Sequence, residues 1–125
     1  MKYTLDIVPY SLNNYRNAHH FKLHKIKKDI GELVHWQLLA QKVKPIKTPV
    51  SITFIFNFKT KAKHDLDNYV ATAKMVLDAL TPIKLPKKTY GVGMIPDDCT
   101  EFIKELIFKE GTGKPDTVEI IIVSL

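Results

Sequence analysis

Residues 50–59, VSITFIFNFK, alternate so strictly that they leave little choice of local structure. Val50, Ile52, Phe54, Phe56 and Phe58 fall on one side of an extended chain, with Ser51, Thr53, Ile55 and Asn57 on the other. β-branched and aromatic side chains at period two specify a strand with one buried face. A buried strand face needs a partner layer. The longest helical pattern, roughly 21–43, supplies one, with Ile26, Ile30, Leu33, Val34 and Leu38 recurring at three and four residues. Trp36 and Leu39 broaden that face, so Trp36 is expected in the core or at a dimer interface. Gly31 weakens this helix by about 1 kcal/mol relative to alanine without ending it.

The other elements follow from punctuation. Residues 2–8 alternate enough for a first strand, stopped by Pro9, and Tyr10 to Arg16 has loop chemistry. A second helix is predicted over 67–80, with Val70, Met75, Leu77 and Leu80 near its apolar side, ended by Thr81-Pro82. Residues 82–98 are rich in proline and glycine and read as loop. Residues 100–109 suit a strand or a helix. A strand is favoured because Gly111-Thr112-Gly113-Lys114 resembles a hairpin loop before the β-rich run 117–123. The expectation is a single α+β domain over 1–125: a mixed sheet of about four strands with two main helices packed on it.

Composition narrows the function. At 125 residues, 45% apolar and 26% charged, the chain suits one modest core. The single cysteine, Cys99, excludes an intramolecular disulfide and a cysteine-based zinc cluster. No apolar run approaches the roughly 18–20 residues of a membrane span, and the N-terminus lacks the form of a signal peptide, so a cytoplasmic protein is expected. A net charge of +6 points to an anionic partner. All but one of the 19 basic side chains are lysines, Arg16 being the exception. Lysine contacts phosphate diffusely and does not read bases bidentately, so binding governed by backbone shape and salt is expected.

Against this basic background stand two acidic groups, His64-Asp65-Leu66-Asp67-Asn68 and Asp97-Asp98. Gathered carboxylates repel nucleic acid unless they hold a divalent cation. At the end of an extended segment Asp65 and Asp67 aim into one space, whereas deep in a helix they diverge by about 200°. A third carboxylate from the 97–98 pair completes a set suited to Mg²⁺, which takes carboxylate oxygens and keeps sites for water and phosphate. The competing reading is structural, with Asp67 as a helix N-cap and Asp97-Asp98 as a polar turn.

The motifs, taken in order, resemble the RusA-type Holliday junction resolvases. The resemblance covers Pro9-Tyr10-Ser11-Leu12-Asn13-Asn14-Tyr15-Arg16, the aromatic strand, His64 to Asn68, Leu77-Asp78-Ala79-Leu80, Asp97-Asp98 and the closing strands. It implies a homodimeric endodeoxyribonuclease that nicks four-way DNA junctions with Mg²⁺, or Mn²⁺ in its place. Asp65, Asp67 and Asp98 correspond to the metal ligands, and Lys74, four residues before Asp78, to a catalytic lysine. Counted forward from Asp67 that lysine belongs at position 71, which is Ala71, so this helix carries about three extra residues. Seven residues keep Lys74 within about 20° of the Asp67 face but move it about 10.5 Å along the axis. Lys63 is the substitute candidate.

Asn13, Asn14, Arg16 and Lys63 are candidate DNA contacts, and the lysines of 22–28, 42–47 and 84–88 are expected to track the backbone. His64 and Asn68 have mainly structural roles on this reading. Two alternatives stay open: a metal-dependent nuclease for other branched or duplex DNA, and a non-catalytic DNA-binding protein.

Overall fold

The computed structural model describes residues 1–11, 20–60, 63–111 and 115–125. Four strands, β1 (Lys2–Leu5), β2 (Val50–Asn57), β3 (Ile103–Glu110) and β4 (Thr117–Ser124), form one sheet in the order β1-β4-β2-β3. Two helices, α1 (His20–Ala40) and α2 (Val70–Leu80), pack on it, and a 3-10 turn, Leu66–Tyr69, leads into α2. This is the expected α+β fold with a mixed sheet: β4 runs antiparallel to β1 and β2, and β2 runs parallel to β3.

The core forms where the periodicities meet. Val50, Ile52, Phe54 and Phe56 are almost fully buried on one face of β2, beside Leu5, Val118, Ile120 and Ile122. Val34 and Leu38 of α1 and Ala73, Val76, Leu77 and Leu80 of α2 belong to the same cluster. Phe54 and Phe108 stack at 5.8 Å, extending the aromatic layer onto β3. Ser51, Thr53 and Ile55 on the other face of β2 stay half-exposed.

Several expected boundaries move, each for a local reason. β1 ends at Leu5 because Gln37 of α1 takes over the next backbone groups: the Asp6 N–H donates to its Oε1 (2.6 Å), and its Nε2 donates to the Asp6 carbonyl (3.2 Å). α1 stops at Ala40 in a Schellman-type closure, with Lys42 N–H on the Leu39 carbonyl and Val43 N–H on that of Leu38. Lys42 adopts the left-handed conformation (φ 56°) that glycine usually supplies, so the sequence carried no stop signal there. Trp36, expected in the core or at an interface, is 67% exposed in this chain, and Leu33 and Leu39 are also exposed. The apolar face of α1 is therefore narrower than its composition suggests. Val70 likewise lies outside the apolar side of α2.

The predicted hairpin is wrong. β3 and β4 are not neighbours; β2 lies between them. The Val50–Asn57 strand is the most buried and takes a central place, so β4 pairs with it on one side and β3 on the other. Parallel pairing of β2 with β3 is possible because the turn, α2 and the loop after it form the long crossover such a pair needs.

Candidate nucleic-acid interface and acidic cluster

The crossover places the chemistry. One face of α1 presents His24, Lys27 and Lys28, which share a side at i, i+3 and i+4. α2 presents Lys74 and Asp78, one turn apart, and the segment after it brings Lys84, Lys87 and Lys88 opposite. Together they line an open cleft of about 530 Å³ with Asp97 and Asp98 among its walls. Six lysines and three aspartates thus face a single space.

Loop 82–98 is held in place by backbone bonds back to α2. The Val92 N–H donates to the Ala79 carbonyl (2.9 Å) and the Ile95 N–H to that of Leu80 (3.1 Å). Met94 and Ile95 are buried beneath it, and His35 of α1 accepts the Gly91 N–H at Nδ1 (3.0 Å). The Lys88 ammonium donates to the Asp78 carbonyl and the Thr81 hydroxyl, satisfying the C-terminal end of α2. Burial pushes the Lys88 ammonium below the usual lysine range, with nearby Asp78 acting in the opposite direction. Tyr90 packs its ring onto Gly31, where a β-carbon would stand 2.3 Å from ring atom Cε2.

Inside the cleft, the Lys74 Nζ lies 2.7 Å from Asp98 Oδ2 and 3.3 Å from Asp78 Oδ1. The Asp98 amide donates to Asp97 Oδ1 (2.8 Å), and Lys84 approaches Asp97 at 3.8 Å. The hydrogen bond from Lys74 holds the Asp98 carboxyl below the usual carboxylate range, and the same bond raises the Lys74 ammonium. Both shifts have the same leading cause, a charge-assisted contact within a basic cleft.

The fold thus brings Lys74 and Asp98 together, although they come from different elements and the lysine is displaced in sequence. It does not bring Asp65 and Asp67 to them. Both are exposed, Asp65 just before the 3-10 turn and Asp67 within it, and neither lines the cleft. Among the described residues, no three His, Cys, Asp or Glu side chains come together as a group able to hold a metal ion. The expected convergence of Asp65, Asp67 and Asp98 is absent, and Asp98 already faces an ammonium. A hard divalent cation needs several converging oxygens, so in this arrangement one chain does not fit it. Nor is Asp67 the helix N-cap of the structural alternative: Tyr69 occupies the capping position of α2 and Asp65 that of the 3-10 turn, with no side-chain cap bond at either.

The smooth helix assumed from 67 onward is also interrupted, since the 3-10 turn precedes the first α-helical residue, Val70. His64 is used structurally. It stacks on Phe58 at 3.8 Å between ring centres, with ring nitrogens 3.3 Å from the Tyr69 and Thr60 hydroxyls. Burial raises the Tyr69 phenol, assisted by the charges of Asp65 and Glu110. Lys63 is exposed beside Asp65. Asn13, Asn14 and Arg16 lie outside the described residues.

Of the three lysine tracts expected to face DNA, 22–28 and 84–88 contribute to the cleft and 42–47 does not. Sequence reasoning missed Asp78 as a site residue, although its i, i+4 spacing from Lys74 was visible. It also missed Tyr90, for which no sequence signal exists. No family model matches the chain, and no curated protein matches its sequence. Among the described residues, no helix is long and apolar enough to cross a membrane.

Proposed function

We propose that this chain binds the phosphodiester backbone of DNA in the lysine-lined cleft and acts as a structure-selective endodeoxyribonuclease on four-way junctions. The observation that carries the binding half is the meeting of Lys27, Lys28, Lys74, Lys84, Lys87 and Lys88 around one open space. Six ammonium groups on two helices and a pinned loop make a surface complementary to a run of phosphates rather than to base edges. The catalytic half rests on the resemblance of the acidic motifs, with the contact between Lys74 and Asp98 as its structural support. Mg²⁺ or Mn²⁺ as cofactor, and action as a pair of copies on branched DNA, belong to the same proposal. Among the described residues of one chain, as arranged, the acids do not gather around such an ion.

A second reading has a specific observation in its favour. With no three-ligand group among the described residues, a DNA-binding protein that cuts nothing is the alternative. One experiment separates the two. Synthetic four-way junctions and linear duplex are incubated with the protein, with and without Mg²⁺, and both binding and nicking are followed. The nuclease reading expects Mg²⁺-dependent paired nicks in the junction, lost in Asp98→Asn and in Asp67→Asn with binding retained. Junction binding without nicking in either Mg²⁺ or Mn²⁺ leaves the second reading standing. Failure to prefer DNA over a neutral polymer at low salt removes both.

A further inference from the structure

β3 closes one edge of the sheet, so one row of its backbone N–H and C=O groups faces no strand among the described residues. Edges of this kind are usually short, proline-broken or covered. β3 is eight residues long, contains no proline, and leaves Lys104, Glu105, Leu106, Lys109 and Glu110 exposed. Leu106, at 42% exposure, shares the helix-side face with Phe108, whereas Glu105, Ile107 and Lys109 pair with Ser51, Thr53 and Ile55 on the open face.

The charges along this strand have an internal symmetry. About Ile107, Glu105 mirrors Lys109 and Lys104 mirrors Glu110, each pair opposite in sign, while Leu106 mirrors Phe108. We propose that β3 is a self-complementary docking edge: it pairs antiparallel with β3 of a second copy, with the two-fold axis at Ile107.

In an antiparallel pair, directly opposite residues point to the same face. On the open face, Glu105 then stands opposite Lys109 of the second copy, with Ile107 against Ile107. On the helix side, Leu106 covers Phe108 of the second copy and loses some of its exposure. The two four-stranded sheets become one continuous sheet. A register shifted by one residue sets Lys104 against Lys109, or Glu105 against Glu110, which repel. Shifting by two puts charged groups against Phe108 or Leu106. The irregularity in the β2–β3 ladder lies between Ile103 and Glu105, so the regular stretch 105–109 carries the centre of the contact, with Lys104 and Glu110 flanking it. Charges that repel a foreign strand therefore select the strand's own copy.

That the chain acts as a pair of copies belongs to the proposed function; the surface that joins them follows from strand geometry and charge alone, and its failure leaves the nuclease assay to stand or fall separately. The test is sedimentation equilibrium over a concentration series, with no DNA present. The wild-type chain is expected to dimerise, more weakly at high salt. Lys109→Glu alone puts like charges opposite each other twice per dimer, as does Glu105→Lys alone, and each should weaken the dimer about tenfold or more.

An equimolar mixture of the two variants restores opposite charges at both positions and should associate like the wild type. Glu105 also accepts a hydrogen bond from the Ser51 hydroxyl (3.0 Å). The Lys104→Glu and Glu110→Lys pair therefore repeats the exchange without touching that bond. Circular dichroism establishes that each variant is folded. A monomeric wild type, single variants that dimerise undiminished, or mixtures that stay monomeric in both exchanges would each overturn the proposal.

Discussion

Gly31→Ala sets two known effects against each other. In an exposed helix interior, replacing glycine by alanine stabilises by about 1 kcal/mol through lost backbone freedom in the unfolded chain. Here the new methyl would lie 2.3–2.6 Å from three atoms of the Tyr90 ring. Restoring ordinary contact requires the ring to retreat by about 1.3 Å, given carbon–carbon contacts near 3.6 Å. The backbone that carries the ring is anchored.

Its neighbour Gly91 is fixed at φ +149°, with the space for a β-carbon taken by the Thr81 carbonyl, and its N–H is held by His35. Overpacking at such a site costs about 1–3 kcal/mol, which less the helical gain of about 1 kcal/mol leaves a net loss of up to about 2 kcal/mol. For a domain of this size each kcal/mol lost lowers Tm by roughly 4 °C. Urea unfolding of four proteins checks the reasoning: wild type, Gly31→Ala, Tyr90→Ala and the double variant. In the Tyr90→Ala background the clash is gone, and Gly31→Ala should stabilise by about 1 kcal/mol. A Gly31→Ala substitution that raises the stability of the wild type would refute the account of this contact.

Two further outcomes follow from the cleft. The contact between Lys74 and Asp98 is partly exposed, with 58% and 28% of the two side chains accessible, so a double-mutant cycle should return no more than about 1 kcal/mol. Because the folded Asp98 carboxyl is depressed below its unfolded value, this contribution is present at neutral pH. It should fade as pH falls through the folded value, and in the Lys74→Met background the cost of Asp98→Asn should vary much less with pH. Secondly, Lys84→Ala with Lys87→Ala removes two cleft lysines and should flatten the slope of log binding constant against log salt by about 1–2 for duplex DNA. The same double substitution in the 42–47 tract, Lys44→Ala with Lys47→Ala, should change it far less, and fluorescence anisotropy across a salt series measures both.

What the sequence revealed and what it hid divide along the range of the interactions. The period-two pattern of Val50–Phe58 and the recurrence of Val34 and Leu38 are local signals, and both segments form the expected elements. The position of β3 is not local. Gly111 to Lys114 has hairpin composition, yet whether two successive strands pair depends on which free edge each finds, and β2 offered an edge to both. Trp36 shows a related limit: apolar spacing marks a possible face, but the width actually buried is set by what packs against it. The site divides the same way. Lysine tracts and acidic pairs are legible as composition, whereas their grouping is set by the crossover through α2. That crossover joins Asp98 to Lys74 and Asp78 and leaves Asp65 and Asp67 on the exposed turn. The acidic motifs therefore did not gather in space, and Asp78, legible in the sequence only as part of a helical motif, joins Asp98 as a partner of Lys74 in the cleft.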